Sequence, residues 1–464
     1  MNRERYANHY GIPGWKQEKL QNAYVSIVGG ASAPALMSFL AGGSAALGIE
    51  KILLTGGIIG DARIFGFKGD IENYIAHLND NVRVYSHNAR ISNKDIANEV
   101  FSETTSRKPQ VIVDVSNSSE SQYFCLEYGK RNNIPVFVGF SRVNGLSFFR
   151  NSGREPDKLG EIVFKTSEFD NENEGKLNSS ILASIILDEM RKVLMPLKGD
   201  VESENLEYNN SDVPIYLDKN VLMVGAGGIG TFAGIGLALN GVRNLFIADF
   251  DAVEDRNLTR QILYYDYDKL ANRKKSSILC FRLRDISDNF GTEKSNFISL
   301  EGRITPESLG FLEKHKIDVL LGCVDNLYTR AVLNMLAFKR GIPYIDGRTG
   351  KFTSRVFTYV PGKTACLDCQ FLGSLKGDAI KELQAKKEGK KKQREHDCII
   401  DPSLLPPNQI AGTLMVQRLR RLEKPPLTMS FLSGDGIRPR RTEDRCRGGC
   451  NPYLTLNEIE NGDK

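Results

Sequence analysis

No stretch of this chain stays apolar for the ~20 residues that a membrane span needs, and the opening "MNRERYANHYG" lacks the apolar core of a secretory signal. Net charge is only +5, too small an excess to point to nucleic acid, and much of it sits in one run, Lys386 to Arg394 ("KKEGKKKQR"). That run reads as a solvated loop. If it instead crosses over a substrate tail, it would attract an acidic partner surface. Nothing else resembles a membrane or nucleic-acid binder, so a cytoplasmic protein is expected. Hydrophobic residues make up 41% and charged residues 26%, ordinary values for a soluble globular chain. At 464 residues there is room for two or three cored domains.

What is present is a pattern given twice. "KLQNAYVSIVGGASAPALMSFLAGGSAALGIEKILLTGG" parallels "YLDKNVLMVGAGGIGTFAGIGLALNGVRNLFIADFD": apolar strand, glycine turn, small-residue helix, second apolar strand. Farther along each copy, "PQVIVDVSNSSESQYFCLEYGKRNNIPVFVGFS" parallels "IDVLLGCVDNLYTRAVLNMLAFKRGIPYIDGRTG", matching Pro135 to Pro343 and Asn117 to Asp325. Each ends in a closing helix, "ILASIILDEMRKVL" and "IAGTLMVQRLRRL". Strands alternating with helices predict α/β architecture: two tandem Rossmann-like domains, each a doubly wound parallel sheet. Residues 1–197 form the first repeat, 198–213 ("KGDVESENLEYNNSD" and its end) an acidic linker, and 214–464 the second repeat.

The copies differ in chemistry. Gly225, Gly227, Gly228 and Gly230 of "GAGGIG" let a backbone turn tightly and approach a phosphate, whose charge the following helix start favours. The first copy has "GGASAP" there, with Pro34 in the turn, and "TGGIIGDARIFG" where the second has its acids. It keeps the hydrophobic pattern and loses the nucleotide chemistry. Asp249 ends the next strand about 20 residues on, placed to hold ribose hydroxyls. An NAD site would look the same so far. Asp251, Asn257 and Arg260 are what such a site does not need: Arg260 offers a fork of donors to phosphate, and Asn257 a short neutral donor. Lys274 is a third phosphate candidate, with Lys275 beside it and a solvated surface role as the bland alternative. Asp325 follows an apolar strand in "VLLGCVDN", at the sheet end where ligands gather; it suits either a Mg²⁺ ligand or the N-cap of the next helix.

Together, "GAGGIG", "DFDAVEDRNLTRQ", Lys274 and "GCVDNLYTR" resemble the ubiquitin-activating-enzyme superfamily, which includes the ThiF and MoeB adenylyltransferases. The resemblance is specific over roughly Tyr216 to Pro452 and architectural in the first copy. It implies ATP–Mg²⁺-dependent adenylation of a C-terminal carboxylate, on a ubiquitin-like or sulfur-carrier protein or a peptide, with release of pyrophosphate. The glycines, Asp249, Asp251, Asn257, Arg260, Lys274 and Asp325 would bind the nucleotide, and Arg260, Lys274 and Asp325 would serve the chemistry. A tandem chain would then form the family's two-lobed dimer by itself, with a homodimer still compatible. One position departs from the family: where relatives bring an N-terminal arginine to the phosphates, "RERYANHYG" has Asn8, leaving Arg3 or Arg5 to substitute.

The cysteines fall into two sets. Cys125, Cys280 and Cys323 lie singly in apolar segments and read as buried small hydrophobes. Cys366 and Cys369 ("CLDC") with Cys446 and Cys450 ("CRGGC") suit a tetrahedral structural Zn²⁺ site, a site the family also has, although the second pair is one residue wider. Cys398 lies in "REHDCIIDPSLLPPNQIAGT", where thioester- or persulfide-forming relatives carry a reactive cysteine. Arg394 and His396 favour its thiolate while Asp397 and Asp401 oppose it. Two other classes stay open: an NAD(P)-dependent oxidoreductase, which leaves Arg260, Lys274 and the cysteine pairs unexplained, and a non-catalytic scaffold for a ubiquitin-like protein, which Asn8 supports.

Overall fold

The computed structural model describes residues 4–30, 33–56, 60–103, 107–151, 174–292, 294–371, 373–387, 402–424, 427–441 and 446. Its backbone repeats as the sequence does. In the first lobe, β1 (Tyr24–Val28), β2 (Lys51–Thr55), β3 (Arg83–His87), β4 (Val111–Asp114), β5 (Val136–Arg142), β6 (Gly145–Asn151) and β7 (Asn205–Asn209) make one sheet in the order β3-β2-β1-β4-β5-β6-β7. In the second, β8 (Leu217–Val224), β9 (Val242–Ala248), β10 (Asn296–Leu300), β11 (Val319–Gly322), β12 (Tyr344–Thr349), β13 (Thr353–Tyr359), β14 (Leu427–Leu432) and β15 (Gly436–Arg441) follow the same order, extended by one strand.

The first five strands of each sheet are parallel; the rest are antiparallel, so both sheets are mixed where the sequence predicts parallel ones. Connection length explains the difference. Only Val143 and Asn144 separate β5 from β6, and a two-residue turn can only reverse the chain, because a parallel crossover needs a dozen residues or more. The stretch expected to be a linker also contributes structure. Its Asn205–Asn209 is β7, paired along β6 from Gly145↔Asn209 to Phe149↔Asn205. Just beyond it, Asp212 accepts the Leu177 and Asn178 amides (2.6 and 3.1 Å) at the start of the first closing helix, Lys176–Leu194.

The two glycine-turn helices, Pro34–Leu47 and Gly228–Asn240, and the closing helices, Lys176–Leu194 and Leu405–Leu419, are buried almost throughout. Small residues permit this. A Cβ on Gly412 would stand 2.4 Å from the Ile229 carbonyl oxygen and 2.7 Å from the Ala233 nitrogen. The second glycine-turn helix therefore lies with its backbone against the closing helix. The two closing helices also meet each other: Ser180 and Thr413 hydroxyls are 2.9 Å apart, Gln409 donates to the Ser180 carbonyl (2.9 Å) and Gln417 to Asn178 Oδ1 (3.0 Å). One helical layer thus joins the lobes, and one hydrophobic cluster runs through both. No helix among the described residues is long and apolar enough to cross a membrane.

Because the atoms facing Gly412 are backbone and cannot swing aside, Gly412→Ala is expected to cost about 1–3 kcal/mol. Thermal unfolding should register a lower midpoint; an unchanged midpoint would contradict this close approach.

Candidate active site

In the second sheet the strand order reverses between β8 and β11, and a crevice at the carboxyl ends of such strands is where doubly wound folds bind ligands. Val224 ends β8, and Gly225 turns the chain with φ +101°, a conformation that strains any residue with a Cβ. The helix then folds back so tightly that a Cβ on Gly230 would lie 2.0 Å from the Gly225 carbonyl oxygen, and one on Gly228 would lie 2.5 Å from Asn408 Oδ1. Gly227 differs. Among the described residues a Cβ there would meet only Gln261 Nε2, at 3.9 Å, so they leave open the space beside this backbone.

Asp249, just past β9, holds the turn in shape. Its Oδ2 accepts the Ala226 amide (2.7 Å) and its Oδ1 the Asp251 amide (2.8 Å), while burial pushes its pKa up against those two bonds. Each carboxylate oxygen keeps further acceptor capacity. The Tyr264 hydroxyl donates to the Ala226 carbonyl (2.7 Å), bracing the next peptide of the turn. Asp251 pairs with the buried Lys275 (3.1 Å). Lys274 caps the next helix, Lys275–Asn289, from an exposed position, and its ammonium donates to the Phe250 carbonyl (2.9 Å). Asn257 is buried, and its Oδ1 accepts the Glu254 amide (2.9 Å).

Arg260 donates to the Arg256 carbonyl (2.8 Å). Burial pushes its pKa down to about 10, the Arg256 charge adds to that, and the Asp325 and Glu254 carboxylates oppose it. The charge of Asp325 thus reaches Arg260. Asp325 is exposed and makes no hydrogen bond or ion pair among the described residues. The alternative role considered for it, capping the helix Leu327–Arg340, belongs to its neighbour: Asn326 Oδ1 accepts the Thr329 amide (2.8 Å).

Behind Asp325 lies a buried network that sequence reasoning missed. Arg330 donates to both oxygens of Asp346 (2.6 Å each), to the Gly347 carbonyl (2.9 Å) and to the Val324 carbonyl; Tyr344 (2.8 Å) and Arg348 (2.9 Å) complete the set around Asp346. Arg330 thus clamps the peptide immediately before Asp325. The signal was present: an arginine on an otherwise apolar helix face requires a buried acid, and "YIDGR" supplies one.

The N-terminal segment of the first lobe reaches this site. Asn8, fully buried, donates from Nδ2 to the Arg256 carbonyl (2.6 Å). Arg5, considered as a phosphate ligand, is instead spent on the Leu78 carbonyl and Asp266 (3.4 Å); Arg3 lies outside the described residues. In the first lobe the matching helix start is filled by the protein itself. The Ala35 and Leu36 amides donate to the Glu174 carboxylate (3.1 and 2.7 Å).

Cys366, Cys369 and Cys446 bring their Sγ atoms within 4.8 Å of one another. The Cys366 amide donates to Cys446 Sγ (3.2 Å). Three thiols so close can hold a metal ion. Cys450, the fourth expected ligand, and Cys398 and His396 lie outside the described residues. Cys125, Cys280 and Cys323 are buried and free, as small hydrophobes would be.

Residues 216–442 match the ThiF family. This half of the chain is a ThiF-family domain. Over 152 residues it is 33% identical to the sulfur carrier protein ThiS adenylyltransferase of Bacillus subtilis, covering 33% of this chain and 44% of that protein. Over 169 residues it is 31% identical to the molybdopterin-synthase adenylyltransferase of Haemophilus influenzae, covering 34% of this chain and 66% of that protein. The matched stretch thus spans about half the length of these relatives. A crystal structure of E. coli MccB with AMPCPP and MccA is similar at a TM-score of 0.40 and 18% identity, over 64% of this chain and 82% of that one. The glycine turn, Asp249, Arg260 and Asp325 all lie within the ThiF-family stretch, whereas Asn8 and Glu174 come from outside it.

Proposed function

We propose that the chain is an ATP-dependent adenylyltransferase acting on the C-terminal carboxylate of a small ubiquitin-like or sulfur-carrier protein, or of a peptide. The observation that carries this reading is the glycine turn after β8, open at Gly227 among the described residues, with Asp325 exposed and unpartnered among them just past the adjacent β11 and its charge acting on Arg260. Relatives named for the adenylation of ThiS and for molybdopterin synthase add weight. Residues 214–464 would be the catalytic lobe and residues 1–197 a partner lobe whose own helix start is closed by Glu174.

In this reading Gly225, Gly227, Gly228 and Gly230 cradle phosphate, Asp249 takes ribose hydroxyls with its spare lone pairs, and Asn257, Arg260 and Lys274 hold the triphosphate, with Asp251 keeping Lys275 turned aside. The incoming carboxylate oxygen bonds to the α-phosphorus as the bond to pyrophosphate breaks, giving acyl-adenylate and pyrophosphate. Catalysis is positioning and charge neutralisation. Asp325 is the residue that would hold Mg²⁺, whose charge offsets that of the phosphates. Cys366, Cys369 and Cys446, with Cys450, would hold a structural Zn²⁺; an all-thiolate set is one that zinc favours. Transfer to Cys398 would form a thioester and release AMP. A cytoplasmic setting fits this chemistry.

Exchange of labelled pyrophosphate into ATP, with candidate carrier proteins added, tests the reading. Asp325→Ala should lower the rate about 10²-fold or more, the scale seen when one preorganised charge is removed. Unaltered exchange, or NADH turnover in its absence, would reject it. Metal analysis should find about one zinc per chain, lost in Cys366→Ser; a full zinc content in that variant would remove the assignment.

A further inference from the structure

The helix Ala7–Tyr10 is four residues long, yet it carries two fully buried polar side chains, and one of them, Asn8, bonds to the Arg256–Arg260 turn of the other lobe. Asn8 Nδ2 and Arg260 Nη1 donate to the same acceptor, the Arg256 carbonyl, at 2.6 and 2.8 Å. A carbonyl only accepts, so the amide orientation of Asn8 is fixed and its Oδ1 points away from that bond; Oδ1 has no partner among the described residues.

His9 is held just as firmly. Trp15 Nε1, a donor only, lies 2.9 Å from Gln17 Oε1, and His9 Nδ1 lies 2.9 Å from the same oxygen. The proton therefore sits on Nδ1, and His9 Nε2 is a bare acceptor, buried and without a partner. The charge of Arg260 acts on this ring. Burial and that charge together leave the imidazole neutral, with its pKa lowered to about 4. Two orphaned buried acceptors on one short helix are costly to leave unpaired, and such groups call for a functional explanation.

We propose that Asn8 is a positioning residue for Arg260: the N-terminal helix presents an amide hook that holds the Arg256 carbonyl, the same acceptor to which Arg260 donates. The segment's described arginine, Arg5, is engaged at Leu78 and Asp266. The first lobe's contribution through Asn8 is then to set where the charge of Arg260 stands. This inference rests on the nucleotide reading of the second lobe.

A double-mutant cycle separates positioning from plain structural support. The affinity of the full chain for a fluorescent mant-ATP with excess Mg²⁺ is measured for the unaltered protein, Asn8→Ala, Arg260→Ala and the double variant. Loss of one hydrogen bond should weaken binding roughly three- to tenfold in the unaltered background. In the Arg260→Ala background the same change should cost less than about twofold, because its effect passes through Arg260. Asn8→Leu, near in shape and free of polar atoms, is measured alongside in case the alanine variant does not fold. Equal losses in both backgrounds, or no loss from Asn8→Ala, would overturn the inference and leave the adenylation reading standing. If the unaltered chain binds no nucleotide, both fall.

Discussion

The structure depends on how closely two helix backbones can approach. A glycine-turn helix made of small residues cannot bury itself against long side chains without leaving voids, and interiors tolerate few. Here the second such helix is sealed by the closing helix at Gly412, and the two closing helices seal against each other through Ser180, Thr413, Gln409 and Gln417. Each lobe's covering layer is thus completed by the other lobe. Once the lobes are fixed in this way, the first lobe's N-terminal helix is delivered to the Arg256 turn of the second, and the site becomes a property of the pair.

The same constraint lets the lobes diverge. Packing requires both to keep small-residue helices, but only one needs an open helix start. In the first lobe Glu174 meets the Ala35 and Leu36 amides with its own charge, satisfying the donors and favourable dipole that an outside anion would otherwise use. In the second, among the described residues only Gln261 comes near the space beside Gly227, at ordinary contact distance, and Asp249 accepts the two amides that shape the turn. A closed and an open version of one motif sit in a single chain.

The duplicated topology was legible because each strand and helix has its own hydrophobic period, which the repeat displays twice. The mixed character of the sheets was not, although the two-residue Val143–Asn144 turn that imposes it is visible in the sequence. Asp249, Arg260 and Asp325 are candidates that the sequence itself offers, the first as a strand-end acid after a glycine turn and the other two as charges that a nicotinamide site does not need. Arg330, Asp346 and Tyr264 were missed since each acts on backbone near the crevice, and that role depends on contacts between residues distant in sequence. Asn8 was noticed only as a missing arginine. What it does instead, holding the Arg256 carbonyl, required knowing which loop lay opposite.

The central claim is that one lobe, and only one, holds a magnesium nucleotide. Calorimetric titration of the intact chain with Mg–ATP tests it most directly. The account predicts a single site per chain, abolished by Gly230→Ala, whose added methyl would collide with the Gly225 carbonyl oxygen. Binding of two equivalents, or of NADH in place of ATP, would contradict it.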